Sequence, residues 1–333
     1  METRRCGSSG LLLPVLGVGC WSFGGGSYWG PQDQREVDGV VAAALDLGCA
    51  FFDTAEAYNE GRSEEALGRA LGGRRGRAVI ASKISPQHCA GSLVRRHCEA
   101  TLSRLGTDYV DLYLVHWPIG EPAALAHVLA EMDGLRREGK IRHAGVSNFG
   151  ARQLAEAAAL GIPLACDELP FGLLSRAIEW EVLPACERFG AGVLGYMPLL
   201  QGLLTGRYRS ADELPASRAR TRHFRGDRPG SRHGEPGRER ETFETVAAIR
   251  AIAGREGLPM ERLAIAWSIA RPAIACTIVG ARNPAQLEAN ARAADLRPAA
   301  GLVTELDAVT DALKAAMGRN VDLFEGSAGS RTR

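Results

Sequence analysis

Residues 50–84 read Ala50-Phe-Phe-Asp53-Thr54-Ala-Glu56-Ala-Tyr58-Asn-Glu-Gly61-Arg-Ser63-Glu64-Glu-Ala-Leu-Gly-Arg-Ala-Leu71-Gly-Gly-Arg-Arg-Gly-Arg-Ala78-Val-Ile-Ala-Ser82-Lys83-Ile84. A short apolar run at 50–54, a segment of helical period at 64–71 and a second apolar run at 78–84 follow in close succession. That is the pattern of two parallel strands joined by a crossover helix. It extends both ways, from residue 13 to about residue 295. The strand candidates are 13–20, 50–54, 78–84, 110–117, 141–149, 164–170, 190–198 and 275–280, and about eight parallel strands are what closes a barrel on itself. Helical segments are predicted at 36–47, 64–71, 124–138, 153–160 and 286–294. After Ser92, the residues Val94, Cys98, Leu102 and Leu105 make one apolar stripe, as on a helix lying against a sheet. No internal repeat interrupts this order.

With 333 residues, 45% of them hydrophobic, the chain can bury a large core without staples. Its 40 basic and 39 acidic side chains leave a net charge of +1, so no global field draws it to nucleic acid or an anionic membrane. A small-molecule partner is the expectation. The eight cysteines (Cys6, Cys20, Cys49, Cys89, Cys98, Cys166, Cys186 and Cys276) show neither metal-ligand nor disulfide-framework spacing and read as small buried apolar residues. The histidines lack paired Cys or carboxylate spacing, so no metal is expected. Met1 to Leu13 is too short in apolar character for a signal peptide or a membrane span, and the expected compartment is the cytoplasm.

The long break in the pattern is 205–241, rich in arginine among Gly, Pro, Ser and His, without apolar period. In a barrel an insertion after a strand belongs over the catalytic face. It reads either as a solvated loop or as a flap over a phosphorylated cofactor. The tail after Gly318 reads as loose. The first strand runs into Gly17-Val-Gly19-Cys-Trp-Ser22, which superficially matches a dinucleotide fingerprint. The third glycine is missing, however, and no clear helix follows, so a Rossmann reading fails.

Four polar residues fall at or just past the ends of successive strands: Asp53 and Tyr58, Lys83, and His116 in Asp111-Leu-Tyr-Leu-Val-His-Trp-Pro118. On a barrel they meet at one mouth. A tyrosine is a poor proton shuttle at neutral pH unless a cation lowers its pKa, and Lys83 held by Asp53 supplies one. A neutral His116 can donate a hydrogen bond to a carbonyl oxygen beside the phenol. Singly, each residue has an ordinary structural explanation; together they suit polarising and protonating a carbonyl.

From about residue 10 to residue 296 the chain resembles the aldo-keto reductase family. The resemblance rests on Gly48 to Tyr58 with Gly61, Ser63 and Glu64, on Asp111 to Pro118, on Gly139-Lys-Ile-Arg142, on Gly145-Val-Ser-Asn-Phe149, and on Gly280-Ala-Arg-Asn-Pro-Ala-Gln-Leu-Glu-Ala-Asn290. It implies an α/β fold, a single (β/α)8 TIM barrel spanning 1–333 with its active site at the C-terminal face of the strands. It also implies Asp53, Tyr58, Lys83 and His116 as the catalytic tetrad, NADP(H) as cofactor, and reversible hydride transfer to an aldehyde or ketone or from the alcohol. The family pattern sets Ser147 and Asn148 at the nicotinamide carboxamide and Tyr196 against the ring. It sets Leu199, Gln201, Gly202 and Arg207 along the pyrophosphate, and Gly280, Arg282, Gln286 and Asn290 at the adenosine 2′-phosphate. Gly19, Trp21, Asp53, Glu168 and Pro198 complete the implied cofactor contacts.

Two positions depart from the family pattern. Relatives carry a glutamine where this chain has Glu168-Leu-Pro-Phe171; an ionised Glu168 would place negative charge near the nicotinamide and favour its oxidised form, and a protonated or rotated-away Glu168 is the alternative. Met197 stands where relatives tend to have serine, a position at which backbone amides would have to replace a phosphate contact. A nicotinamide-binding sensor or regulatory subunit is the alternative reading; the channel-associated relatives depart at the tetrad histidine, and His116 is present. A hydrolase using Asp53 and Glu56 leaves Lys83 and Tyr58 unexplained. The aromatic residues Trp21, Tyr28, Trp29 and Trp117, with 205–241, are expected to wall a site for a hydrophobic or sugar-like carbonyl compound.

Overall fold

The computed structural model describes residues 1–332. A hairpin of β1 (Thr3–Arg5) and β2 (Leu12–Pro14) precedes eight strands: β3 (Leu16–Gly19), β4 (Phe51–Asp53), β5 (Val79–Ile84), β6 (Val110–Val115), β7 (Ile141–Ser147), β8 (Cys166–Pro170), β9 (Gly192–Tyr196) and β10 (Ile274–Gly280). These eight close a parallel barrel in sequence order, with β10 pairing both β9 and β3. The predicted strand 13–20 is two elements. Its first part belongs to the hairpin, whose Cys6 and Leu13 plug the N-terminal end of the barrel against Phe51, Cys166 and Cys276.

The helices are α1 (Gln34–Leu47), α2 (Arg62–Leu71), α3 (Leu93–Leu105), α4 (Pro122–Arg137), α5 (Ala151–Ala159), α6 (Val182–Phe189), α7 (Glu239–Arg255), α8 (Met260–Ile269), α9 (Pro284–Ala291) and α10 (Ala300–Met317). Of these, α6, α7, α8 and α10 were not among the predicted segments. In α8 every residue from Leu263 to Ile269 is buried, which erases the apolar stripe on which a helical reading depends. Among the described residues, no helix is long and apolar enough to cross a membrane.

Strand alternation decides what points inward. Phe51, Ala81, Leu112, Leu114, Cys166, Leu194, Cys276 and Ile278 fill the barrel, while Phe52, Ile80, Tyr113, Val115 and Val193 face the helical layer. Continuing the inward parity by two residues gives Asp53 from Phe51, Lys83 from Ala81, His116 from Leu114, Glu168 from Cys166 and Tyr196 from Leu194. The polar set therefore replaces the apolar filling at one end.

Two further expectations need correction. The break at 205–241 ends inside α7 and is not simply a solvated flap. Thr221, Arg222, His223 and Phe224 are buried, His223 Nε2 lies 2.7 Å from the Leu174 carbonyl, and Arg222 donates to the carbonyls of Met317 and Asn320. The tail after Gly318 is not loose. Arg331 pairs with the buried Asp322, Gln153 donates to the Arg331 carbonyl at 2.7 Å, and Thr332 Oγ1 donates to the Asn148 carbonyl at 2.9 Å. Both segments are polar in sequence because their hydrogen bonds are made to other parts of the protein.

Candidate active site

Asp53 closes β4, and Tyr58 follows on a single 3₁₀ turn, Tyr58–Gly61. Asn59 and Glu60 hold left-handed backbone with φ of 51° and 60°. The Asn59 side-chain amide makes that turn tenable by donating to the carbonyls of Trp21 and Phe23, both at 2.8 Å. The loop after β3 and the turn bearing Tyr58 are thereby fixed to each other.

Lys83 is fully buried, and its ammonium donates to Asp53 Oδ1, to the Thr54 carbonyl at 3.1 Å and to the Tyr58 hydroxyl at 3.2 Å. It lies 3.4 Å from Glu168 Oε1. Burial alone would discharge the lysine, but Asp53 and Glu168 outweigh it and hold its pKa well above the ordinary value. Burial also raises the Tyr58 pKa. Lys83 pulls it down, but Asp53 and Glu168 push it up again, and the net direction is upward. The expected lowering of Tyr58 by Lys83 is present as one contribution and is outvoted. His116 packs edge-on against Tyr58, ring centroids 5.6 Å apart, and burial, with Lys83 and Arg331 nearby, keeps its imidazole neutral at pH 7.

Glu168 is shifted by burial as well. Its carboxyl is buried beside Asp53, and burial followed by repulsion from Asp53 pushes its pKa well above the carboxylate range. The shift favours the protonated form, in which the carboxyl can donate as well as accept, like the glutamine it replaces. An acid whose folded pKa is raised stabilises the fold fully below its unfolded pKa, near 4.3, and loses that contribution as pH rises towards the folded value. Glu168→Gln is therefore expected to melt higher than the native chain by a margin that widens with pH from weakly acidic to alkaline buffer, by up to roughly 1.4 kcal/mol per pH unit. Parallel melting curves across that range check it, and a margin independent of pH counts against a protonated Glu168.

Around these groups, Ser147 Oγ donates to the Glu168 carbonyl at 2.9 Å, and the Tyr196 hydroxyl donates to Asn148 Oδ1 at 2.6 Å. The Asn148 amide nitrogen donates to the His116 carbonyl and to Ser147 Oγ. Met197, Leu200 and Gln201 hold left-handed backbone, and Gly202 follows at φ 94°. Pro198 is buried against Gly172, where a side chain would strike it, while Leu199 is partly buried and Arg207 exposed. Both polar side-chain atoms of Gln201 are buried without a hydrogen-bond partner among the described residues. Gly19 pairs with Gly280 across β3 and β10, Asn290 donates to the Gly280 carbonyl, and Gln286 Oε1 accepts from the Arg282 backbone N–H. The Arg282 guanidinium donates to the carbonyls of Trp29 and Pro31 and to Gln32 Oε1. Trp21 stacks on Tyr28 with centroids 4.6 Å apart and lies 6.2 Å from Tyr58.

The sequence reading missed a neighbouring cluster. Glu56 is bracketed by His88 Nδ1 at 2.8 Å, His97 Nδ1 at 2.6 Å and the Ser85 N–H at 2.7 Å. The three side chains are far apart in sequence, and no spacing rule joins them. The two imidazoles are stacked 3.8 Å apart at 17°. Nearly parallel rings cannot both aim an in-plane lone pair at one ion about 2.0–2.1 Å away, so this arrangement is a hydrogen-bonded carboxylate rather than a metal cage.

The family model described as "Aldo/keto reductase family" matches residues 15–311. The chain belongs to the aldo/keto reductase family. Among aldo/keto reductases it is 33% identical over 301 residues to aldo-keto reductase YhdN of Bacillus subtilis, covering 87% of each chain. It is 28% identical over 340 residues to the NADH-specific methylglyoxal reductase of Escherichia coli, covering 94% of this chain and all of the relative. A solved aldo/keto reductase of Klebsiella pneumoniae in complex with NADP and acetate superposes with a TM-score of 0.74 at 29% identity, covering 93% of this chain and 95% of that one. The (β/α)8 barrel expected of an aldo/keto reductase is thus present.

Proposed function

We propose that the chain is an NADP(H)-dependent oxidoreductase interconverting an aldehyde or ketone and its alcohol, with Tyr58 as the proton donor and acceptor. The observation that carries this reading is the buried Lys83 ammonium, held by Asp53 and donating to the Tyr58 hydroxyl. A dinucleotide fits the surrounding residues. Buried polar atoms of Glu168 and Gln201 lack partners among the described residues, the Tyr196 ring stands at the end of β9, and the turn through Gln201 and Gly202 is left-handed. Ser147, Asn148, Glu168 and Tyr196 would hold the nicotinamide end, Leu199 to Arg207 the pyrophosphate, and Arg282, Gln286 and Asn290 the adenosine phosphate.

Bound there, the reduced nicotinamide supplies a hydride; the residues of the chain handle oxygen and proton. A neutral His116 keeps an N–H to donate to the substrate oxygen and so fixes that oxygen near the phenol. Tyr58, its pKa raised, holds its proton until negative charge builds on that oxygen and then delivers it. Lys83 stabilises the phenolate left behind, and Asp53 keeps Lys83 charged and in place. Alcohol oxidation runs the same steps backwards.

The preference for NADP(H) is supported by Arg282 and by the NADP-bound Klebsiella relative, against the NADH-specific relative of E. coli. Arg282→Ala is expected to weaken NADPH binding about 10- to 100-fold while NADH binding changes little, the loss typical of a charge-assisted phosphate contact. Fluorescence titration with both cofactors measures this, and equal losses would remove Arg282 from phosphate recognition. The direct test of the function is NADPH consumption, followed by absorbance, over a panel of aromatic and aliphatic aldehydes. Tight NADPH binding without turnover of any carbonyl would favour the sensor reading instead.

A further inference from the structure

A cavity of ≈ 300 Å³ opens beside the tetrad, lined by Trp21, Trp117, Phe324, Arg220, Arg232 and Arg331. Its aromatic part adjoins the chemistry: Trp117 follows His116 in the chain, and the Trp21 ring is 6.2 Å from that of Tyr58. Its arginines differ in one respect. Arg331 lies flat over Trp117 at 3.5 Å and is neutralised by Asp322, and Arg232 is neutralised by Glu325 at 3.0 Å. Among the described residues Arg220 has no carboxylate partner. Its guanidinium rests over the Tyr28 ring at 4.9 Å, its Nε is buried without a hydrogen-bond partner, and Gly230 leaves room for its stem, since a Cβ there would lie 3.1 Å from Arg220 Cδ. Tyr28 in turn stacks on Trp21, so the unpaired cation stands one aromatic stack beyond the tetrad.

A partly desolvated guanidinium with unused donors is an incomplete ion pair, and a planar anion completes it with two parallel hydrogen bonds. Resting on the proposed carbonyl chemistry, we infer that Arg220 is an anion subsite of the substrate cavity. The preferred substrates then carry the carbonyl at one end and a carboxylate or phosphate at the other, with a flat or extended apolar middle lying between Trp21 and Trp117. A 2-oxo acid, whose charge adjoins the carbonyl, is too short to use it.

The test pairs two probes of nearly equal size, 4-carboxybenzaldehyde and the methyl ester of 4-formylbenzoic acid, and reads the ratio of their kcat/KM values with NADPH. The native chain is expected to favour the carboxylate about 10- to 100-fold, less at high salt, and Arg220→Gln to bring the ratio towards one. A native ratio near one, or a ratio unmoved by Arg220→Gln, overturns the subsite. Weakened NADPH binding in Arg220→Gln with an unchanged substrate ratio overturns it too, by giving the arginine to the cofactor. If the variant fails to fold, the native chain still decides: benzoate should quench Trp21 and Trp117 fluorescence saturably where benzamide does not, and equal responses count against the subsite. Turnover of the ester alone would leave the reductase standing and remove only the anion subsite. Turnover of neither probe while other aldehydes of the panel are reduced would overturn the subsite; failure of every aldehyde would remove the reductase, while benzoate quenching would still report on Arg220.

Discussion

Tyr58→Phe is expected to lower kcat for carbonyl reduction about 10²- to 10⁴-fold while leaving NADPH affinity within a few fold of native, as read by single-turnover absorbance and fluorescence titration. The substitution removes only the hydroxyl. The ring remains to pack beside Trp21 and His116, and Asn59 still ties the turn to the loop after β3. What disappears is the one O–H that the Lys83 ammonium addresses at 3.2 Å. His116 cannot replace it as an acid, because an imidazole whose pKa lies well below the ordinary value carries no second proton at pH 7. It can only donate a hydrogen bond. A variant retaining more than about a tenth of native kcat would show that the proton comes from elsewhere.

Lys83→Met should be more damaging, since it removes activity and stability together. Loss of the ammonium leaves Asp53 and Glu168 facing each other in a buried site with nothing to neutralise them, a situation that costs about 3–5 kcal/mol when one member of a buried pair is deleted. Part of that cost is relieved by protonating Asp53, so the melting temperature is expected to drop by several degrees and to recover partly on acidification. Phenolate formation at Tyr58 also loses the one favourable charge beside it among the described residues, because Asp53 and Glu168 both raise its pKa. A fall in kcat on the order of 100-fold or more follows. The double variant Lys83→Met with Asp53→Asn separates the two effects: stability should return in part, whereas activity should not. A double variant with native activity would demote Lys83 to a structural ion pair.

The barrel and the inward placement of Asp53, Lys83 and His116 were legible because they follow from strand alternation, whereas Tyr58 is brought in by the turn after β4. Phe51 predicts the face of Asp53, Ala81 that of Lys83, and Leu114 that of His116. Protonation was not legible, because it depends on burial and on neighbours that no spacing shows. From sequence Glu168 reads either as a negative charge or as a protonated acid, and Tyr58 as a residue lowered by Lys83. In the fold both pKa values are raised, since both groups sit where desolvation is larger than any single partner. The polar segments 205–241 and 318–332 misled for a related reason. Composition reports how little apolar surface a segment offers; it does not report that His223 finds the Leu174 carbonyl or that Thr332 finds that of Asn148. Of the helices not predicted, α6 is only 8 residues long and α8 is buried all round from Leu263 to Ile269, whereas α7 (Thr242, Thr245, Val246, Ile249, Ile252, Ala253) and α10 (Leu306, Thr310, Leu313, Met317) do carry a buried stripe of helical period that was there to be read.

Arg331 and Thr332 bear on how the protein is best handled in the laboratory. Arg331 covers Trp117, and Thr332 is bonded to the backbone of Asn148, which itself orients the Tyr196 hydroxyl. An affinity tag or fusion partner attached directly after residue 333 of this sequence would thus begin close to the wall of the proposed mouth, competing for the space a substrate would need. Met1 lies against Gly48, where α1 ends and the chain turns towards the start of β4, at the far end of the barrel. Tags, immobilisation linkers and reporter fusions belong there.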